Sequence, residues 1–556
     1  MKRIQIKQFD YIQIISLFFV PVFFAYLLYL LIPIQNKDFL SIVSATASIN
    51  ALIWILVIAQ ILLNYALIKK YSIKLIVQIN LVLILIYVST FKVLIKALSL
   101  KGTPLPSTDI RGDLLNVVNL AKIAQEEYWA GGPNSVFPDG GYPPIWPSLI
   151  GNVARIFNVH VLDVFKPAEF VLMIVSPIFI LYIWRLVMDS WMALAVTINQ
   201  SLVYTYFDYK SLTLNLIIPL LIYIVMTLKS ASKYKFFIYG LSFGLISLTY
   251  FGYIYWLIPL MIIFMITLLF LDNKFENFTK HTYLYLGLGA GLGPVVYFRI
   301  TDNLILYYSA IILCLLLIQF LDKSMLGKRL FLVFFNIGLF LGLFGALLFF
   351  RTKDTWVEGG IERNDPTGGA IVSLNGLNLF VFLILMIALL FIIKAKENTT
   401  TITILAGIFA SSTLFMYFIA SQMQITLRVD LWPRAREVQS YALNLVFLVI
   451  FLFFISSILK DSKFKAFFEI GKQNTFYFIS ILIFVSGSYL VSTLGSLTYG
   501  SMPIHSFGGA WFAHQGCTNP HEDPMLSKVF ENYPDIQEFL RKNCPAADWP
   551  EIPKNS

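Results

Sequence analysis

Residues 97–167 read ALSLKGTPLPSTDIRGDLLNVVNLAKIAQEEYWAGGPNSVFPDGGYPPIWPSLIGNVARIFNVHVLDVFKP. This is the longest polar interruption in a chain otherwise made of apolar runs. It carries Asp109, Asp113, Glu126, Glu127 and Asp139, an isolated Arg111, and the stiff triplet Tyr142-Pro143-Pro144. On both sides the sequence turns apolar for about 20 residues at a time, the length of a membrane-crossing helix. A loop this long between two such segments is costly to order and is characteristically functional.

Composition supports the same division. Hydrophobic residues make up 58% of the 556 residues and charged residues 13%, against about 25% charged in soluble domains. Mean hydropathy is +0.76. A soluble globular chain is excluded, and no period-2 alternation points to a barrel. The expected fold is an all-α polytopic membrane protein. The first apolar run, 11–32, is long enough to span rather than to act as a removable signal. The net charge of +10 belongs to the membrane sidedness discussed next, so membrane lipids are expected partners and nucleic acid is not.

The roughly 20-residue criterion predicts about fifteen spans. They are 11–32, 44–68, 75–96, 168–186, 191–207, 212–228, 236–251, 254–271, 282–298, 303–321, 330–350, 371–393, 399–421, 440–459 and 475–493; the pair 236–251 and 254–271 also reads as one kinked re-entrant unit. With the N-terminus inside, the inner segments hold 21 Lys and Arg and the short outer turns three: Lys37, Lys210 and Arg299. That asymmetry is the positive-inside pattern. It gives four regions: N-terminal spans over 1–96, an outer loop over 97–167, a helical bundle over 168–493 and a short outer tail over 494–556. Two further outer loops cover 351–370 and 422–439. The expected location is a bacterial plasma membrane, with the N-terminus cytoplasmic and the C-terminus extracytoplasmic.

Within the first loop, Leu114, Val117, Val118, Ala121, Ala124 and Tyr128 recur at helical spacing and predict a helix over 113–130. Such a helix is expected to lie on the outer membrane surface, capped by Asp113. The Gly- and Pro-rich stretch 130–147 cannot be helical. A second surface helix is expected over 147–157.

A carboxylate at a membrane boundary suits the deprotonation of an acceptor hydroxyl. Nearby cations suit a leaving lipid phosphate, and apolar grooves between spans suit its tail. Asp109 and Asp113 are equal candidates for the base by chemistry alone, each being equally a helix cap. Arg111 is the nearest cation to Asp109. Arg428, Arg434 and Arg436 form the densest outer basic cluster, against the positive-inside trend, and suit phosphate or acceptor binding. Asp208 and Lys210 in a tight outer turn, and Arg363 in an acidic-basic loop, rank lower. Tyr142, Pro143, Pro144 and Trp146 read as a wall of a sugar pocket or as a plain loop brace, Pro fixing its own φ and restraining its predecessor.

The loop also resembles the N-terminal region of the galactan arabinofuranosyltransferases of mycobacteria and corynebacteria, membrane glycosyltransferases of the GT-C class. The matching residues are Gly102-Thr103-Pro104, Thr108-Asp109, a helix ending near Ala121, Tyr142-Pro143-Pro144-x-Trp146 and Phe165-Lys166-Pro167. The likeness covers residues 100–200. It implies a GT-C-type bundle and an inverting pentosyl- or hexosyltransferase that uses a polyprenyl-phosphate sugar, with arabinofuranose as the family's sugar. It places the general base on Asp109 and adds Lys166 to the pocket; Asp113 falls on a position that is not acidic in that family and remains the second candidate by its own chemistry. The acceptor is then an extracytoplasmic cell-wall or surface glycan.

No dinucleotide or phosphate-loop fingerprint is present, which argues against a cytoplasmic nucleotide-sugar enzyme. His505 and His514 flank Trp511 without the carboxylates of a metal site, so no metal is expected and a divalent-cation requirement stays open. The only cofactor-like molecule implied is the lipid-linked donor. Cys314 reads as packing; Cys517 and Cys544 are either disulfide-linked or free. Two other functions remain compatible: a glycan polymerase or ligase using lipid-diphosphate-linked oligosaccharides, which fits the basic loop 422–439, and a transporter or flippase of lipid-linked glycans. A transporter should place polar residues at mid-membrane.

Overall fold

The computed structural model describes residues 8–31, 39–67, 73–99, 112–130, 144–203, 209–227, 230–250, 282–291 and 534–543, with Lys280 and isolated positions between 309 and 491. Every regular element among them is a helix. In order they are α1 (Gln8–Leu31), α2 (Phe39–Leu67), α3 (Ile73–Ser99), α4 (Gly112–Glu127), α5 (Ile145–Phe157), α6 (Val161–Arg185), α7 (Ser190–Val203), α8 (Tyr209–Thr227), α9 (Lys233–Thr249) and α10 (Pro534–Asn543). Among the described residues, three stretches are long and apolar enough to cross a membrane: Ala47–Leu67, Leu75–Ala97 and Val161–Arg185, of 21, 23 and 25 residues. Ile15–Leu31 and Tyr209–Ile224 are shorter apolar helices.

The chain divides into two compact units. The first comprises Met1–Ala130, Pro147–Leu212 and Ile458–Ser556; the second comprises Gly131–Trp146 and Thr213–Ser457. The first is built around α3, which packs against α1, α2, α6 and α7. Its sequence explains the position. Residues 88–95 are buried on every side, as expected of a helix at the centre of a bundle. The helices around it turn apolar residues outward, including Phe19, Phe23, Leu62 and Phe179.

α2 and α3 are joined by a buried amide network. Asn80 Oδ1 accepts from Gln60 Nε2 at 2.6 Å and from Asn64 Nδ2 at 2.8 Å. Asn80 Nδ2 donates to Asn64 Oδ1 at 2.7 Å and to the Ile76 carbonyl at 2.8 Å. Every polar atom of Asn80's side chain is thus used between two apolar helices, where an unmet amide would be costly.

In the second unit, α9 crosses the helical residues 282–291 through glycines. A Cβ on Gly240 would collide with the Leu284 carbonyl, and one on Gly291 with the Cα of Gly244. The partners are two Gly-x-x-x-Gly patterns, Gly240/Gly244 and Gly287/Gly291, which bring backbones together as small residues do between membrane helices. Elsewhere in this unit Tyr441 donates its hydroxyl to Asn215 Oδ1 at 2.8 Å.

Both bounds of the predicted loop 97–167 move. α3 continues to Ser99 instead of ending at 96. α6 begins at Val161, so the last seven residues of the predicted loop 97–167 belong to the following helix. Pro167 falls inside α6, and Pro is tolerated inside membrane helices. Here Val161, Leu162, Val164 and Phe165 are buried, and His160 Nδ1 caps the helix by accepting from the Leu162 amide at 3.2 Å.

Candidate functional site

The loop between α3 and α6 contains two helices fastened to each other at close range. α5 approaches α4 at Gly151, where a Cβ would run into the Ala121 carbonyl. The chain reverses after α4 at Tyr128, whose φ of 69° lies in the left-handed region that non-glycine residues rarely adopt. Three contacts hold that reversal. The Arg155 guanidinium lies 3.4 Å from the Tyr128 ring centroid. Asn152 Nδ2 donates to the Tyr128 carbonyl at 2.8 Å, and Arg155 donates to the Glu126 carbonyl at 3.2 Å. The Ala130 amide donates to Ser148 Oγ at 2.9 Å, which ties the two ends of the intervening segment together. Gln125 Nε2 donates to the Val159 carbonyl at 2.9 Å and fixes the other end of α5.

α10 docks on this assembly from the far end of the chain. Asp535 Oδ2 lies 2.6 Å from Lys122 Nζ and 3.5 Å from His160 Nε2. Phe539 stacks on the His160 ring, centroids 4.6 Å apart and planes 8° from parallel. Ile536 and Gln537 are fully buried. Burial works to raise the pKa of Asp535, but His160 and Lys122 together outweigh it and hold the carboxyl at about 2.

Asp113 is the second residue of α4 rather than the residue before it, so it lies in the first turn instead of at the cap position. Pro144 and Trp146 are buried at the start of α5, Lys166 is half-buried on α6 rather than in a loop, and Lys210 is half-buried in the first turn of α8. Asp109, Arg111, Tyr142, Pro143, Asp208, Arg363, Arg428, Arg434 and Arg436 lie outside the described residues, as do His505, His514, Trp511 and the three cysteines. The apolar face of α4 was expected to meet the membrane surface. It is occupied instead: Val117, Val118, Leu120, Ala121, Ile123 and Ala124 are all buried within the protein, because α5 and α6 pack there.

α3 carries charge within its apolar run. Lys92, 6% exposed, sits one turn before Lys96 on the same side of the helix, and Lys96 pairs with Glu169 of α6 at 3.1 Å. A lysine inside an apolar span is itself the signal that could have found this cluster. A small apolar crevice of about 20 Å³ lies between α2 and α3, lined by Ile53, Val57, Ile84, Tyr87, Phe91 and Ile483 among others. Among the described residues no group of three His, Cys, Asp or Glu is arranged to hold a metal ion. No family model matches the chain, and no curated protein matches it.

Proposed function

We propose that this chain is a membrane glycosyltransferase that moves a sugar from a polyprenyl-phosphate donor to an extracytoplasmic glycan, with Asp109 as general base. The observation that carries the reading is the fastening of the loop. The segment between two candidate spans is no slack linker; its helices are held by a glycine contact, a cation–π pair and four side-chain hydrogen bonds to the backbone. A site that must hold reacting groups in place needs such support. The residues of the resemblance flank this platform. In the sequence, Asp109 lies three residues before α4, and Tyr142-Pro143-Pro144 immediately precedes α5. Arabinofuranose is the donor sugar the resemblance favours, and a bacterial plasma membrane is the proposed location.

In this scheme the Asp109 carboxylate takes the proton of the acceptor hydroxyl as its oxygen attacks the anomeric carbon. The lipid phosphate leaves, its charge met by Arg111 or the Arg428, Arg434 and Arg436 cluster. Asp109→Asn keeps size and removes the base. Loss of a general base costs about 10²–10⁴-fold, so the variant should express and bind donor lipid while transfer from a polyprenyl-phosphate sugar nearly vanishes. Asp113→Asn should be far milder. Full activity in Asp109→Asn with loss in Asp113→Asn would move the base to the other acid, and full activity in both would end the reading.

A further inference from the structure

α5 carries an apolar face that the protein leaves uncovered. Leu149, Ile156 and Phe157 are 53%, 77% and 71% exposed. Leu149 and Ile156 are seven residues apart and share one side of the helix. Half-buried Val153 lies between them, and exposed Val159 extends the patch beyond the helix end. The opposite side, with Ile150, Gly151 and Ala154, is buried. The helix holds a single charged residue, Arg155, and that side chain is drawn away onto Tyr128 and the Glu126 carbonyl. Asn152 is likewise turned to the Tyr128 carbonyl. The polar groups of α5 therefore serve its contact with α4, and what remains outward is hydrocarbon.

Its neighbours show the reverse. α4 exposes Glu126 and Glu127, and α10 exposes Glu538 and Lys542. Polarity is thus sorted between helices, which a loop bathed in water on all sides would not require. What covers the apolar side follows from the chain. α6, long and apolar enough to cross a membrane, begins at Val161, four residues after Phe157, and turns Val171 and Phe179 outward. Four residues reach at most about 14 Å, so the end of α5 is held close to the start of a membrane span.

We propose that α5 lies in the bilayer interface, its Leu149–Val153–Ile156–Phe157 side sunk among the lipid chains. α4 is then the water-facing helix, and α5 is the one that rests the loop on the membrane. An apolar helix face buried in the headgroup–acyl boundary is an established mode of membrane attachment. This placement rests on the spanning character of α6 and not on the transferase reading.

The test uses the full-length protein in vesicles of phosphatidylethanolamine and phosphatidylglycerol. Single cysteines replace Leu149, Ile156, Glu127 or Glu538 on a background lacking Cys314, Cys517 and Cys544, and each carries a nitroxide. Oxygen, which concentrates in lipid, and a water-soluble nickel chelate report by collision. Labels at 149 and 156 should favour oxygen over the chelate by about tenfold more than labels at 127 and 538, given burial of about 5–10 Å. Equal chelate access at 156 and 127 would overturn the proposal, placing α5 in water. Access of neither reagent at 149 and 156 would also overturn it, showing a protein cover. Both substituted side chains are exposed, so no packed contact is lost; if one variant fails to fold, the other reports on the same face.

Discussion

Asn80 shows what a single side chain does inside this bundle. It supplies one donor and one acceptor to α2 while a second donor bond returns to its own helix. Asn80→Leu keeps the volume but leaves Gln60 and Asn64 without their partner. The expected cost is about 1–2 kcal/mol, the scale of interhelical polar bonds in apolar surroundings, read as a lower unfolding midpoint in detergent. Asn80→Leu with Asn64→Leu should recover part of the loss, since fewer amides are then stranded. The sequence announces three polar residues in apolar runs, but not that they meet. The same holds for Lys96 and Glu169: each is legible as a charge, and their 3.1 Å pairing across α3 and α6 is not. The chemistry of candidate residues can be read from types and spacing, while their partners depend on which helices become neighbours.

At the scale of elements, periodicity placed α4 and α5 within a few residues of their observed bounds. It could not say which one faces lipid. α4's apolar stripe looks like a membrane face in isolation, and only the packing of α5 and α6 against it reveals that it is core. The start of α6 is a similar case: buried apolar residues upstream of Pro167 extend the helix back to Val161. The Gly-x-x-x-Gly patterns are visible in the sequence, yet nothing there pairs them. Gly240→Leu should separate α9 from residues 282–291, because the new side chain would meet the Leu284 backbone, which cannot yield. Overpacking of this kind costs about 1–3 kcal/mol. Thermal unfolding should drop accordingly, and Gly240→Ala should be intermediate. An unchanged midpoint in both variants would mean that this crossing adds no stability.

For the whole molecule, the docking of α10 on α4 ties residues from opposite ends of the sequence to one side of the membrane. It requires an even number of crossings between α6 and the tail, a condition that the predicted spans from 168–186 to 475–493 satisfy. Cysteines at Glu127 and Glu538 should therefore react with an impermeant reagent from the same face. Labelling from opposite faces would contradict the docking itself.

The docked state also has a definite pH dependence. Asp535 has a folded pKa of about 2, below the ordinary carboxylate value of about 3.9. Its contribution is thus fully present above about pH 4 and is lost as pH falls through about 2. Asp535 is 40% exposed at its side chain, so solvent screening limits the pair to about 1 kcal/mol or less. Hydrogen exchange across 534–543, after correction for intrinsic rates, should quicken as pH is lowered from about 4 through about 2. Lys122→Glu or Asp535→Lys alone should speed it, and the two together should restore it. Failure of the double variant to recover would mean that stacking on His160 and burial of Ile536, rather than charge, hold the helix.

The same contact has a consequence in time. Some four hundred residues separate Lys122 from Asp535. At a synthesis rate of about 5–20 residues per second, the α4 face waits on the order of 20–80 s for its partner. A helix of ten residues is marginal alone in water, so α10 gains its form on arrival. The last of the described helices to leave the ribosome is therefore the one that closes over α4. A product cut short before residue 534 would carry an open seat at Lys122 and His160, a mark by which a quality-control protease could tell an unfinished chain from a finished one.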